Sequence, residues 1–362
     1  MQIDKINMKK PLLTTLILLI ILSLGLTTIL FLNNRQDRIP IIPKPKNNNS
    51  INIVFTTDKE YSSYLKVALK SLILNKDKDS IYNIYILSID LNKKTQEELK
   101  TFKQDDVEIN TVSLKVKTLD KIIDKKINFF YVSRADLFKF FIPEMFQNFD
   151  KILYLDSDIL VLGDLSSLYN TDIQDKYIAA VKRYNFRGNR KKDDYNCGVM
   201  LFNIQKYRKD NIAQKLIKAK NNDKDGRSSQ YSFNSVIKLK NVKLISPIYN
   251  NNAYTEDEDF IKYNFKKTYS PFLDNINNLL ELDKNTIIVH YIGADKPWHK
   301  NSNSRFKEKW WEYSKLVDAN MKYKKRSFIE RLKNAYFLTL RSSTKKTFIQ
   351  YIKKFYHIFK TS

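Results

Sequence analysis

The sequence predicts an α/β fold in which a mainly parallel β-sheet is flanked by helices. One observation is that short apolar runs alternate with segments that carry apolar residues at helical spacing, which is typical of parallel strands joined by crossover helices. A second is that the chain, with 362 residues and a hydrophobic fraction of 43%, is long and apolar enough to bury a sizeable core.

The predicted elements follow one another from residue 51. Strands are expected at the short apolar runs, namely residues 51–55, 81–88, 107–112, 151–155, 177–181, 198–202 and 286–291. Helices are expected where apolar residues recur every three or four positions, namely residues 61–74, 95–102, 134–145, 204–220, 230–239 and the region beyond Ser304. The third of these helices is expected to end near Pro143, because proline has no backbone N–H to donate within a helix.

An apolar segment lies close to the N-terminus. Residues 11–32 contain no charged side chain and are numerous enough to cross a bilayer as a helix. Asn33 and further polar residues follow, where a signal peptide would have a small-residue cleavage site, so an uncleaved transmembrane signal anchor is favoured. Basic residues lie on both sides of it, and we expect the short tail of residues 1–10 to be cytoplasmic, which gives a single-pass type II protein. Residues 33–50 are rich in proline and polar residues and are predicted to form a stalk.

The positive charge of the chain is concentrated towards its end. The net charge is +25, and residues 301–362 contain 16 Lys or Arg against 4 Asp or Glu. We predict a basic helical tail over residues 304–362. The interleaved aromatic and lysine residues 345–360 would suit an anionic membrane surface, and a helix packed on the preceding domain is the alternative. Since no nucleic-acid-binding module is recognisable, no nucleic acid partner is expected.

Several classes of site are excluded by residue types that the chain lacks. Cys197 is the only cysteine, so no disulfide can form within the chain. The six glycines form neither a P-loop nor a dinucleotide-binding fingerprint. No zinc-binding spacing and no Ser/Cys–His hydrolase signature is present. Phosphate groups would therefore have to be bound in another way, for example through a metal ion.

A pair of aspartates follows the predicted strand over residues 151–155. Asp156 and Asp158 are separated by Ser157, and the alternation of side chains along an extended chain sends both carboxylates to the same side. In an open parallel sheet, ligands bind at the carboxyl ends of the strands, where this pair is expected. A divalent cation would relieve the repulsion between the carboxylates and polarise a pyrophosphate leaving group. The alternative is a solvated turn in which the aspartates cap a helix.

A second candidate group lies within residues 287–299. His290 ends a predicted strand, and a neutral imidazole is a suitable ligand for Mn²⁺ or another borderline divalent cation. Gly293 permits close approach of the backbone to a ligand, and Lys296 could hold a phosphate as a point charge. The alternative for His290 is a hydrogen-bonded histidine of the core.

Four segments, in this order along the chain, are typical of one enzyme family. They read IVFTTDKEYSSYLKVALKSLILN from residue 53, YLDSDILVLGDLSSLY from residue 154, NCGVMLFNI from residue 196 and HYIGADKPWH from residue 290. Together they resemble glycosyltransferase family 8, the retaining glycosyltransferases of GT-A fold that include galactosyltransferases and glycogenin-like enzymes. The resemblance covers residues 51–300 and implies a Rossmann-like GT-A catalytic domain over residues 51–303.

The resemblance also implies roles for individual residues. Asp156, Asp158 and His290 would bind Mn²⁺ or another divalent cation, which bridges the diphosphate of a UDP-sugar donor. The residues that would bind this donor are Asp58 and Tyr61 at the uracil, Gly293 and Lys296 at the diphosphate, Asn196 near the sugar, and Lys139, which stands where the family has an arginine. Gln230 matches the glutamine on the reactive face of the sugar. Because a neutral amide is a poor nucleophile, we expect Gln230 to stabilise an oxocarbenium-like transition state electrostatically.

Some positions depart from the family pattern. Glu60 stands where an amide is expected, and Arg183 stands where an acidic residue is expected. Ser229 and Tyr231 flank Gln230, where the family usually has acidic residues. Plain surface variation and an altered specificity both explain these departures. The donor sugar, the acceptor and the linkage stay open for this reason.

The predicted function is the transfer of a hexose from a UDP-sugar to a glycan or glycolipid acceptor, with retention of configuration. Three alternatives remain: a non-catalytic relative that binds nucleotide sugars, an adaptor that binds membranes or nucleic acid through charge, and a metal-dependent hydrolase. The membrane would border a Golgi-like lumen in a eukaryote, and would otherwise be an inner membrane or a viral or host membrane.

Overall fold

A computed structural model describes residues 39–45, 49–114, 123, 133–183, 194–224, 227–253, 278–293 and 295–325. The predicted membrane anchor over residues 11–32 lies outside the described residues, as do parts of the stalk and the basic tail after residue 325. Within the described residues, no helix is both long enough and apolar enough to cross a membrane.

The central element is a seven-stranded sheet with the strand order β3-β2-β1-β4-β7-β6-β8. A separate three-stranded sheet has the order β5-β10-β9. The strands are β1 (Ile51–Thr57), β2 (Tyr82–Ser88), β3 (Val107–Ser113), β4 (Lys151–Leu155), β5 (Ile159–Val161), β6 (Ile178–Lys182), β7 (Tyr195–Asn203), β8 (Val242–Ile245), β9 (Asn251–Asn252) and β10 (Ile288–His290).

The large sheet is mixed but mainly parallel, as predicted. The pairs β1–β2, β2–β3, β1–β4 and β6–β8 are parallel, and only the two pairs made by β7 are antiparallel. Because β7 runs against its neighbours, the residues at its start lie beside the carboxyl end of β4. Asp156, directly after β4, accordingly donates its backbone N–H to the carbonyl oxygen of Gly198 at 2.8 Å.

Helices cover both faces of the large sheet. The α-helices are α1 (Ser62–Leu74), α2 (Lys93–Lys100), α3 (Ile142–Met145), α4 (Ser166–Tyr169), α5 (Ile204–Lys209), α6 (Ile212–Asn221), α7 (Ser229–Val236), α8 (Leu279–Lys284) and α9 (Lys307–Val317). Alternate residues of β4 enter different hydrophobic clusters: Ile152 packs with residues of α5, α6 and α7, whereas Leu153 packs with residues of α1, α2 and α4. This double burial explains why the strands are almost continuously apolar. The predicted α/β fold is confirmed.

Two predicted helices have a different form in the structure. Residues 134–145 form a 3₁₀ helix, Arg134–Phe140, followed by the separate short helix α3. Pro143 lies in the first turn of α3, where its missing N–H costs little, so it begins a helix instead of ending one. Residues 204–220 are divided into α5 and α6 because Asn211 adopts a left-handed backbone conformation with φ of 51°.

The remaining differences concern short elements. The prediction of a buried strand near residues 286–291 is confirmed, but β10 belongs to the small sheet and not to the large one. The sequence pattern did not predict β5, β8, β9, α4 and α8. Each is too short to show a periodic pattern of its own, so tertiary contacts decide its conformation.

An aromatic cluster joins α9 to the α/β body. Trp310 and Trp311 of α9 are buried, and the ring of Trp298 packs against Trp310 with centroids 5.5 Å apart. Tyr64 of α1 stacks on Trp298, with ring centroids 3.6 Å apart and an angle of 7° between the ring planes. The region that follows Ser304 therefore starts with a helix that is packed on the α/β body.

We expect Trp310→Ala to lower the free energy of unfolding by about 3 to 5 kcal/mol, because it removes a fully buried indole and leaves a cavity. Leu316→Ala is the matched control, since Leu316 lies on the same helix and is 59% exposed. That control should change stability by less than about 0.5 kcal/mol. Urea unfolding followed by tryptophan fluorescence measures both, and equal effects of the two substitutions would contradict the packing of α9.

Candidate active site

One cavity of about 350 Å³ lies at the carboxyl ends of β1 and β4, between the two sheets. All of the predicted site residues line it: Asp58, Tyr61, Lys139, Asp156, Asp158, Asn196, Gln230, His290, Gly293 and Lys296. They come from segments that are up to 238 positions apart in the sequence, so the fold is what brings them together. Their individual roles remain predictions.

The Asp156-Ser157-Asp158 triplet is anchored through its backbone and its central side chain. Asp158 accepts the backbone N–H of Tyr291 at its carbonyl oxygen, at 3.0 Å. The Ser157 hydroxyl donates to the carbonyl oxygen of Thr56 at the end of β1, at 2.7 Å. The alternative of a freely solvated turn is therefore not what the structure shows. Instead, the triplet links β4 to β5 with its carboxylates facing the cavity.

Both carboxylates approach the imidazole of His290. His290 Nε2 lies 3.5 Å from Asp156 Oδ2 and 3.3 Å from Asp158 Oδ1. Ligand atoms of these three side chains all lie within 4.8 Å of one another, which is close enough for all of them to bind one metal ion. Two carboxylates and one imidazole form a donor set that suits a borderline divalent cation such as Mn²⁺.

Lys296 contacts the same group from the side of the small sheet. Its buried ammonium forms an ion pair with Asp158 Oδ2 and also donates to the carbonyl oxygen of Tyr291. Burial alone would raise the pKa of the Asp158 carboxyl, but its contacts with the Lys296 ammonium group and with His290 hold that pKa well below its usual value. Asp158 is therefore a carboxylate throughout the physiological pH range.

Lys139 contacts the other aspartate. Its Nζ lies 3.0 Å from Asp156 Oδ1 and 2.6 Å from Asp136 Oδ1. Burial would lower the pKa of Lys139, but the carboxylates of Asp136 and Asp156 outweigh burial and raise it well above its usual value. The hydroxyl of Tyr154 also donates to Asp156 Oδ1, at 2.5 Å. Asp156 is thus oriented by two buried donors, and Lys139 acts in the structure as its counterion.

The uracil side of the predicted site is formed by aromatic residues. Asp58 Oδ1 accepts the backbone N–H of Tyr61 at 2.9 Å, which ties the two residues into one turn. The ring of Tyr61 meets Tyr64 and Trp298 edge to face, with centroids 5.8 Å and 6.0 Å away. Burial, aided by the charge of Asp158, raises the pKa of Tyr61 well above its usual value, so its phenol is neutral.

Gln230 lies in the first turn of α7 and lines the cavity. Its Oε1 accepts the backbone N–H of Cys197 at 3.3 Å. The preceding residue, Ser229, donates its backbone N–H to Asp136 Oδ2 at 3.0 Å. The start of α7 is therefore bonded both to β7 and to the same aspartate that pairs with Lys139.

The positions that depart from the family pattern fall into two groups. Arg183 and Ser229 line the cavity, so they are placed to affect what binds there. Tyr231 and Glu60 do not line it. The ring of Tyr231 lies under the guanidinium group of Arg227 at 3.3 Å, and Glu60 is exposed.

Sequence reasoning missed four residues that shape the site, namely Asp136, Tyr154, Gly198 and Asn250. Gly198 is needed for steric reasons, because a Cβ at this position would lie 2.1 Å from His290 Cε1 and 2.7 Å from Asp156 Oδ2. Its place in the NCGVMLFNI segment was a usable signal. Asn250 bonds to His290 across 40 positions, and no local pattern could have indicated that contact.

A family model described as glycosyl transferase family 8 matches residues 52–302. The chain belongs to glycosyltransferase family 8. The match includes all of the cavity residues and confirms the family that the four sequence segments resemble.

Relatives of this family 8 chain occur in several bacteria. Glycosyltransferase GlyE of Streptococcus pneumoniae is 29% identical over 276 residues, which cover 74% of this chain and 61% of GlyE. A putative glycosyltransferase of Haemophilus influenzae is 27% identical over 265 residues, which cover 69% of this chain and 74% of that protein. The aligned region spans about three-fifths of the length of GlyE and of glycosyltransferase GlyF.

Solved structures show the same fold. The crystal structure of GlyE from S. pneumoniae is 27% identical, with a TM-score of 0.53 over 77% of this chain and 66% of that one. Galactosyltransferase LgtC, in complex with donor and acceptor sugar analogues, has a TM-score of 0.59 at 22% identity, covering 74% of this chain and 96% of LgtC. The predicted GT-A-like fold is confirmed.

We expect Gly198→Ala to weaken divalent-cation binding by at least about tenfold, because the added methyl group must displace His290 or Asp156. Gly163→Ala is the matched control, since the nearest atoms to a Cβ there belong to Ile287 and are 3.5 Å or more away. Isothermal titration calorimetry with Mn²⁺ measures both affinities. An unchanged affinity in Gly198→Ala would show that the cation does not bind between these side chains.

Proposed function

We propose that the chain transfers a hexosyl group from a UDP-sugar to a glycan or glycolipid acceptor, with retention of configuration and with a divalent cation. The observation that carries this proposal is the convergence of Asp156, Asp158 and His290 in a cavity that also contains a buried lysine, Lys296. Carboxylates and imidazole suit the cation, and an ammonium group suits the diphosphate.

The side chains present fit a divalent cation. Asp158 stays ionised because Lys296 and His290 lower its pKa. Among the described contacts, Asp156 accepts hydrogen bonds only at Oδ1, and its Oδ2 faces His290. A cation such as Mn²⁺, when bound, offsets the charge of the diphosphate and makes it a better leaving group. Lys296 and the backbone at Gly293 would hold that diphosphate. Gly293 has a φ of 77° and open space where a Cβ would lie, which permits close approach.

The remaining donor contacts are those that the family resemblance implies, and the residues concerned all line the cavity. Asp58 and the neutral ring of Tyr61 would hold the uracil. The edge-to-face contacts with Tyr64 and Trp298 fix the position of the Tyr61 ring. Asn196 and Gln230 would face the sugar. Because an amide is a poor nucleophile, Gln230 would act through its dipole, stabilising positive charge at the anomeric carbon.

A second candidate function is binding of a nucleotide sugar without transfer. The presence of Arg183 and Ser229 in the cavity, where acidic residues are expected from the resemblance, favours it. A changed donor or acceptor would explain the same two residues. Catalysis separates the two candidates, since only the transferase releases UDP.

We also propose that the catalytic domain is attached to a membrane. The support is the uncharged segment over residues 11–32, followed by the proline-containing stalk over residues 33–50. The basic residues of the C-terminal tail would add contacts with anionic lipid.

The test is UDP release from a panel of UDP-hexoses, measured with Mn²⁺ and with chelator. We expect turnover of one donor that requires the metal. The Asp156→Asn/Asp158→Asn variant should lower kcat/KM by at least about 100-fold, equivalent to about 2.7 kcal/mol of transition-state stabilisation. Asp175→Asn is the matched control and should retain activity, because the Asp175 side chain is 78% exposed and lies outside the cavity.

Other results would decide against the proposal. Metal-dependent binding of UDP without any release from UDP-sugars, tested with and without candidate acceptors, would indicate the binding function instead. UDP release that does not depend on metal, or equal activity of the aspartate variant, would contradict the role of the Asp156–Asp158–His290 group. Failure to bind UDP at all would contradict both functions.

A further inference from the structure

The Nδ1 atom of the His290 imidazole is hydrogen-bonded to a residue that does not line the cavity. Its Nδ1 lies 2.9 Å from Oδ1 of Asn250, which is buried. Asn250 in turn donates from Nδ2 to Asn196 Oδ1 at 3.0 Å, and Asn196 Oδ1 accepts the backbone N–H of Gly198 at 2.7 Å. These contacts form a continuous chain from a backbone amide on β7 to the imidazole, which we call the amide relay.

We infer that the amide relay sets His290 as the Nδ1–H tautomer and that Asn250 is a positioning residue for the cation site. The inference rests on the proposed function only in that it assigns His290 to a cation. The hydrogen-bond directions themselves do not depend on any ligand.

The direction of the relay is determined at its start. A backbone N–H can only donate, so the Asn196 atom that lies 2.7 Å from the nitrogen of Gly198 must be the amide oxygen. That oxygen can only accept. The Asn250 atom that faces it must therefore be the amide nitrogen, which leaves the amide oxygen of Asn250 to face His290.

The position of the imidazole proton is determined in the same way. Because the oxygen of Asn250 can only accept, Nδ1 of His290 must carry the proton. In a neutral imidazole, Nε2 then carries a lone pair, and Nε2 is the atom that faces Asp156 and Asp158. A lone pair beside two carboxylates is electrostatically unfavourable in itself, but it is the arrangement that a shared cation needs.

The close approach of β7 to His290 involves Gly198, the residue at which the amide relay starts. Gly198 supplies the N–H that starts the relay and leaves no room for a Cβ beside the imidazole. Gly198 therefore both limits the space beside the imidazole and orients the imidazole through Asn196 and Asn250. Partners of this kind typically change metal affinity by about 10- to 100-fold when removed.

The test determines the tautomer directly by ¹⁵N NMR spectroscopy. It uses the full-length chain with ¹⁵N-labelled histidine, purified in detergent and without metal. The chain has three histidines, and His290→Gln identifies the signal of His290. At a pH of about 9, well above the ordinary histidine pKa of about 6.5, we expect the wild type to show protonated Nδ1. In Asn250→Ala the proton should move to Nε2, where it can bond to Asp156 or Asp158.

Two further variants complete the test. Asn250→Asp keeps an acceptor opposite Nδ1 and should preserve the Nδ1–H tautomer. Asn251→Ala is the matched control, because the Asn251 amide is buried next to Asn250 but donates to Asp283 and Thr286. It should leave the tautomer unchanged. Mn²⁺ affinity, measured by calorimetry, should fall about 10- to 100-fold in Asn250→Ala and much less in the control.

Protonated Nε2 in the metal-free wild type would overturn the inference, as would an unchanged tautomer in folded Asn250→Ala. If Asn250→Ala does not fold, the spectra of the wild type and of Asn250→Asp decide the question. A wild type that shows the Nδ1–H tautomer but binds no divalent cation would contradict the proposed metal dependence and leave the relay intact.

Discussion

Two carboxylates held side by side in a mostly buried position are the constraint around which this site is built. Asp156 and Asp158 would repel each other strongly if nothing offset their charges. Lys139 pairs with one and Lys296 with the other, and both ammonium groups are buried. Removing either lysine would leave a poorly solvated carboxylate, so the four charged groups depend on one another. His290 faces both carboxylates between these ion pairs.

The topology of the sheet makes this arrangement possible. In a purely parallel sheet, only the carboxyl ends of strands would meet at the site. Because β7 runs antiparallel between β4 and β6, its first residues lie at that same edge. Asn196 and Gly198 are thereby placed beside Asp156, and the small sheet adds His290 from β10. The site therefore lies where the carboxyl end of β4, the start of β7 and the small sheet meet.

Helix α9 supports the same site from outside the cavity. Lys296 lies in a turn whose neighbour Trp298 packs on Tyr64 of α1 and on Trp310 of α9. Trp311 donates from its indole nitrogen to the carbonyl oxygen of Pro297 at 3.0 Å. Displacement of α9 would therefore shift the Lys296 ammonium group, which pairs with Asp158. The aromatic cluster links the stability of the fold to the geometry of the site.

The sequence by itself determined the α/β class, the family, and ten of the residues that line the cavity. Buried strands are marked by continuous apolar runs, and Asp156 and Asp158 are close in the sequence, so local pattern was enough. The tertiary structure alone decided that Lys139 serves as counterion to Asp156, that Asn250 bonds to His290, and that Pro143 starts a helix. These outcomes depend on contacts between distant segments or on the start of a neighbouring helix, and such contacts leave no periodic signal in the chain.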